Sequence, residues 1–159
     1  MDTQEDSAIR SEGAELWVQG HLRLEYGLLT AKASRNMPGY DILAFSPDGK
    51  KTARIQVKYR KAINSDGMRV HRETFDFVVY VAGRKGFVGQ APDRVETFKR
   101  TQFYVLPAKV VQQGLQARDL YPSPTRGSHK QYLNAWHLIL EYLGVPEPRY
   151  SEDGEEATS

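Results

Sequence analysis

The sequence predicts an α/β or α+β domain in which a mixed central sheet is flanked by helices. Three observations carry that expectation. An amphipathic helix stands near the N-terminus, a series of short strands follows, two of them arranged around an Asp48-Gly49 turn, and helical segments close the chain. The 159 residues suit one domain with its own core. We read 1–10 as a flexible acidic N-terminus, 11–146 as the domain and 147–159 as a disordered acidic tail, because the last stretch is poor in apolar residues.

Taken in order, Ser11 stands where a helix cap belongs, and Gly27 stands where the helix should stop. Between them Ala14, Val18 and Leu22 recur at helical spacing, with Glu15 at the edge of the stripe. LLTAKAS reads as a first strand, and RNMPG as a turn. YDILAF and TARIQVKYR form a hairpin around SPDGKK, and TFDFVVYVA is apolar enough for a sheet centre covered on both faces. GFVGQA and QFYVLPA are two further short strands, with Gly83, Gly86 and Gly89 read as part of a hairpin turn. AKVVQQGLQARDL is helical. NAWHLILEYLG is a last helix with Trp136, Ile139, Leu140 and Leu143 along one side, and its aromatic content makes it a possible homodimer interface.

Composition narrows the function. A hydrophobic content of 40% with 26% charged residues describes a globular chain, and no apolar run approaches the roughly 20 residues of a membrane span, so a cytoplasmic address is expected. With no cysteine, a metal must bind through oxygen or imidazole. His21, His71, His129 and His137 lack the spacing of a histidine site. The net charge of +2 hides an asymmetry: setting aside the acidic ends leaves 20 Lys and Arg against 10 Asp and Glu over residues 16–146. Such a surplus attracts polyanions, and counterion release makes nucleic acid its natural partner.

The hairpin makes distant residues neighbours. A turn centred on Asp48-Gly49 pairs Ala44 with Ala53, Leu43 with Arg54 and Asp41 with Gln56. Directly opposed side chains lie about 5 Å apart on one face. Alternation puts Lys58 on the Gln56 face and Ile55, Val57, Ile42 and Ala44 on the other. A hard cation accepts carboxylate and amide oxygens, so Asp41 and Gln56 are candidates to share one, with Glu15 reaching it if the first helix crosses the hairpin. Lys58 would then orient a water or stabilise developing charge. Arg54, Arg60, Lys61, Arg69, Arg72, Arg126 and Lys130 are candidates for phosphate contact.

The ordered set of a helix bearing Glu15, the PGYD segment ending in Asp41, and Gln56-Val57-Lys58 resembles the PD-(D/E)XK nuclease superfamily. It is most similar to small bacterial or archaeal endonuclease-like members with QxK in place of (D/E)xK. The likeness spans roughly residues 11–111. It implies a restriction-endonuclease-like fold, with a mixed four-stranded sheet and a helix on each side. It further implies hydrolysis of DNA, double-stranded or branched, with Mg²⁺ as cofactor and Mn²⁺ as a substitute, and the Val57 carbonyl as an additional ligand. The chain departs from the pattern at two points: Gly39-Tyr40 separates Pro38 from Asp41, and a neutral amide replaces a carboxylate at Gln56. Fewer carboxylates weaken the hold on a divalent cation.

Each residue also has a structural explanation. Glu15 would favour the helix dipole, Asp41 would cap a turn, and Gln56 and Lys58 would be the solvated side of a strand, with Asp76 as a strand-edge acid. Two other functions therefore stand beside the nuclease: a nuclease-like scaffold that binds nucleic acid without cutting it, and a protein-interaction domain that keeps only the fold. Trp17 and Trp136 are expected in the core.

Overall fold

Five strands hydrogen-bond in sequence order into one sheet, β1 (Leu29–Lys32), β2 (Ile42–Phe45), β3 (Thr52–Arg60), β4 (Phe77–Val88) and β5 (Val95–Pro107). The computed structural model describes residues 4–34, 37, 39–60, 74–89, 92, 95–117 and 130–148. Strands β3 and β4 run parallel, and the other neighbouring pairs are antiparallel. The helices are α1 (Gln4–Tyr26), α2 (Ala108–Ala117) and α3 (His137–Leu143), with a 3-10 turn at Lys130–Tyr132. This is the expected α+β architecture of a mixed sheet with flanking helices, with five strands where the resemblance implied four.

The sheet is greasy on both sides because two sets of alternating residues each meet a helix layer. Ile42, Ala44, Ala53, Ile55, Val57, Phe77, Val79, Val81, Phe103 and Val105 pack with Ala14, Val18 and Leu22 of α1 and with Ile139, Leu140 and Leu143 of α3. On the reverse face Val78, Tyr80, Ala82, Tyr104 and Leu106 pack with Val111 of α2. The expected helical stripe of α1 is thus its core face. Trp136 is core, as expected. Trp17 is not: it is 43% exposed, with its ring stacked on Phe103 at 3.7 Å between centroids.

Several boundaries differ from the expectation. Helix α1 opens at Gln4, so Ser11 lies inside it and does not cap it, and residues 4–10, expected as a loose end, are helical. Glu5 and Asp6 in the first turn complement the positive end of the helix dipole and make the earlier start favourable. Gly27, at φ 63°, ends the helix with its N–H on the Arg23 carbonyl. GFVGQA and QFYVLPA are not separate strands, because β4 and β5 form one long ribbon with a register shift between Ala82 and Arg84. Gly83 and Gly86 lie within β4, and only Gly89, at φ 91°, lies past its end. Asn134, at φ 52°, holds a left-handed conformation, so α3 starts only at His137. The apolar side of α3 is core, leaving Tyr142, 44% exposed, as its large hydrophobic group at the surface. That placement removes the basis for the expected interface on this helix.

Candidate active site

The β2–β3 register is the one the turn predicts: Ile42 pairs with Ile55, Leu43 with Arg54 and Ala44 with Ala53. Gly49 supports the turn at φ 69°, and Asp48 closes it by accepting from the Ser46 hydroxyl at 2.6 Å and from the Lys50 amide at 3.0 Å. Strand β2 begins only at Ile42, whereas β3 continues to Arg60 alongside β4. Beyond Ile55, β3 therefore pairs with β4 alone among the named strands.

Asp41 lies against that stretch of β3. Its amide donates to the Ile55 carbonyl at 2.9 Å, and its carboxylate Oδ2 accepts from the Val57 amide at 2.7 Å. The paired register ends at Ile42 and Ile55, so the expected pairing of Asp41 with Gln56 is not part of the ladder; Asp41 bonds instead to the residues on either side of Gln56. The preceding turn depends on Gly39, at φ 95°, because a Cβ there would overlap the Thr74 side chain. Gly39 thereby allows the segment carrying Asp41 to approach the start of β4.

Gln56 is only 3% exposed, and its Oε1 has no hydrogen-bond partner among the described residues. A buried carbonyl oxygen left unpaired costs free energy, so such an atom calls for an explanation. Lys58, two residues on and on the same side of the strand, is partly buried. Burial lowers its pKa below the usual lysine range, Arg60 pushes it the same way, and the Asp41 carboxylate opposes both.

Glu15 comes from α1, whose Ala14 and Val18 anchor it over the sheet. Its carboxylate meets Lys32 of β1 at 3.2 Å. Burial raises its pKa and the neighbouring Asp41 carboxylate adds to the rise, against the pull of Lys32. Lys32 was not singled out in the sequence. It follows from β1 pairing, in which Lys32 stands opposite Ile42 and the next residue, Ala33, donates to the Asp41 carbonyl at 2.8 Å. Glu12 also reaches Lys32, at 3.4 Å.

The Asp41 carboxylate thus lies close enough to act electrostatically on both Glu15 and Lys58. Carboxylate and amide oxygens are the donors a hard cation takes; Glu15 comes from the helix over the Ile55 and Val57 face of the sheet, whereas Gln56 and Lys58, beside Val78 and Tyr80, are on the reverse face. No group of three or more His, Asp or Glu residues is arranged for metal among the described residues.

Of the residues expected at phosphate, Arg54 is engaged elsewhere. Its guanidinium donates to both oxygens of Asp76, at 3.1 and 2.9 Å, and its amide donates to the same carboxylate at 2.8 Å. Asp76 is the structural acid the sequence suggested, although its role is to tie β3 to the start of β4. Arg60 and Lys130 are exposed. Lys61, Arg69, Arg72 and Arg126 lie outside the described residues, as do His71 and His129.

Neither a protein-family model nor a curated protein matches the chain. Among solved structures, that of I-Ssp6803I, a bacterial homing endonuclease, matches with a TM-score of 0.51, covering 89% of this chain and 94% of that one at 19% sequence identity. The fold is similar to that of this homing endonuclease. The likeness runs through nearly the whole of both chains. No helix among the described residues is long and apolar enough to cross a membrane.

Proposed function

We propose that this protein is a metal-dependent endonuclease of the PD-(D/E)XK type, hydrolysing DNA phosphodiester bonds at a site formed by Asp41, Gln56 and Lys58. The observation that carries the reading is the unpartnered, buried Oε1 of Gln56 beside a fixed carboxylate and a partly buried ammonium. A strand whose polar side were merely solvated would leave Gln56 in water, and here it is 3% exposed. The fold shared with a homing endonuclease and the basic middle of the chain support the same reading.

Asp41, Gln56 and Glu15, with the Val57 carbonyl, would hold Mg²⁺, for which Mn²⁺ would substitute. Bound there, the ion supplies Lewis acidity toward a phosphoryl oxygen and lowers the pKa of water. The chain's own groups do the remainder. The Val57 amide locks the Asp41 carboxylate in one orientation, so no reorganisation is needed when substrate arrives. Lys58 presents its ammonium from a low-dielectric position, where it orients the attacking water and offsets the charge that develops on the phosphate oxygens. Glu15, poised by Lys32 on one side and Asp41 on the other, completes the oxygen set. The DNA-facing charge comes from the basic middle of the chain, including Arg60 and Lys130.

Incubation with supercoiled, linear and branched DNA in Mg²⁺ and in Mn²⁺ tests the proposal. Nicking or cutting that disappears in Asp41→Ala and Lys58→Ala is the expected result. One observation favours a second reading, a scaffold that binds nucleic acid without cutting it: the site holds a neutral amide where a third carboxylate would strengthen the hold on a cation. Salt-sensitive binding without cleavage in either metal would select that reading.

A further inference from the structure

A hollow of about 490 Å³ lies between helix α1 and the sheet. Val81 and Phe103 form its floor, and Arg10, Gly13, Ala14 and Trp17 form its helical wall. Those four recur at i, i+3, i+4 and i+7, so they share one side of α1. Tyr59 of β3 and Thr101 of β5 complete the described lining. Trp17, Tyr59 and Phe103 make the hollow largely aromatic. The Trp17 ring is held against Phe103 at 3.7 Å between centroids, which fixes its orientation while leaving it 43% exposed.

Gly13 keeps the hollow open. A Cβ at this position would meet nothing within 4 Å, so packing within the chain does not demand glycine. Glycine inside a helix costs stability, because its backbone loses more freedom on folding than that of any other residue. A side chain here would take up space in the hollow, and that is what the glycine avoids. Chemistry narrows the occupant. Aromatic walls accept the flat face of a ring, and Arg10 is the one charged side chain among the described lining residues, a donor suited to an anion. A nucleotide carries both groups. A second hollow shares Trp17, Thr101 and Phe103 but includes Glu25, whose carboxylate repels phosphate.

The first hollow adjoins the proposed catalytic residues, since Ala14 precedes Glu15 and Tyr59 follows Lys58. Tyr59 lies about 7 Å along β3 from Val57, whose amide holds Asp41, and that span equals about two stacked nucleotide steps. A base within a duplex is stacked on both faces and cannot enter beneath a helix, so the occupant must be unpaired or extruded, and an unpaired base costs least. We infer that this hollow binds an unpaired nucleotide of DNA, with its base against the aromatic walls and its phosphate on Arg10. The substrate is then DNA with an unpaired nucleotide beside the phosphodiester that is cut, and not continuous duplex. The position of the cut rests on the nuclease reading; the nucleotide site rests on the hollow.

The test uses the full chain and two fluorescently labelled DNAs, a duplex carrying one unpaired nucleotide and the same duplex fully paired. Anisotropy at constant salt, without divalent metal, reads binding apart from cleavage. The native protein should bind the first DNA at least about tenfold more tightly, the scale of one base–aromatic contact. Gly13→Leu fills the hollow and should make the two affinities nearly equal, while its circular dichroism stays native because leucine favours the helix. Gly20→Leu makes the same exchange on α1 outside the lining, again with nothing within 4 Å, and should keep the native preference. Equal native affinities, no measurable binding, or a folded Gly13→Leu protein that keeps the preference overturns the proposal. So does a loss of preference in Gly20→Leu as large as in Gly13→Leu. Cleavage assays in Mg²⁺ and Mn²⁺ separate the two readings. Preference without cutting retains the nucleotide site and removes the nuclease, whereas equal cutting of both DNAs, unaltered in Gly13→Leu, retains the nuclease and removes the site.

Discussion

The Asp41 carboxylate accepts a 2.7 Å hydrogen bond from the Val57 amide, so one side chain replaces a missing rung of the sheet and is also the central carboxylate of the proposed metal centre. This dual role predicts separable effects. Asp41→Ala leaves the Val57 N–H unpartnered and should cost about 1–3 kcal/mol in urea unfolding. Asp41→Asn retains an acceptor oxygen, so it should hold most of that stability while still losing DNA cleavage.

Lys58 is expected to weaken the folded protein at neutral pH. Burial lowers its pKa, so folding disfavours the protonated form. The penalty is present below the depressed folded value and fades as pH rises toward the ordinary 10.5. Lys58→Met should therefore raise stability by about 0.5–2 kcal/mol at pH 7 while abolishing cleavage, the usual exchange at a functional site. Paired thermal melts at pH 7 and pH 10 measure it, with the gap between the two proteins narrowing at the higher pH.

Glu15 behaves oppositely in sign. Burial, with Asp41 nearby, raises its pKa above 4.5, so the folded state holds the proton more tightly than the unfolded chain. Stability falls as pH rises from the unfolded value through the raised folded one, and the deficit persists above it. Glu15→Gln should remove this dependence and leave stability at pH 7 equal or slightly higher, within about 1 kcal/mol. Cleavage by the native protein should decline as pH falls through the raised Glu15 pKa.

Asp76 is the acid-sensitive member of the fold. Burial pushes its pKa up, but the Arg54 side chain and amide outweigh that, and the net value lies below 3.8. Its contribution is complete above that ordinary value and is lost as pH falls through the depressed one. With the Arg54 side chain 44% exposed, solvent screening limits the loss in Asp76→Ala to about 1–2 kcal/mol at pH 7. Acid titration followed by circular dichroism should show the native protein losing stability below pH 3.8, while the variant lacks that component.

The β2–β3 hairpin was legible because its register follows from local rules: an Asp-Gly turn and period-two alternation pair Leu43 with Arg54 and Ala44 with Ala53 without knowledge of the remaining chain, whereas Asp41, past the last pair, takes its place from bonds to Ile55 and Val57 that the turn rule does not give. Helix α1 over its core stripe was legible for the same reason, and so was the stop at Gly27. The Arg54–Asp76 pair was not, because it joins β3 to the start of its parallel neighbour across 22 residues, where no turn rule applies. Lys32 escaped for a related reason. Its meeting with Glu15 depends on how α1 crosses β1, and sequence spacing within either element carries no trace of that. The long β4–β5 ribbon was divided at Gly83 and Gly86 because isolated glycines read as punctuation, whereas pairing along a neighbouring strand overrides their local preference.

The proposed metal centre around Asp41 is tested most directly by locating a cation in it. Crystals of the full chain soaked in Mn²⁺ should show an anomalous scattering peak within coordination distance of the Asp41 carboxylate and Gln56 Oε1, and it should vanish in Asp41→Ala. A well-occupied peak elsewhere, or none beside Asp41 while Gln56 Oε1 remains buried and unpaired, would contradict the proposed metal centre.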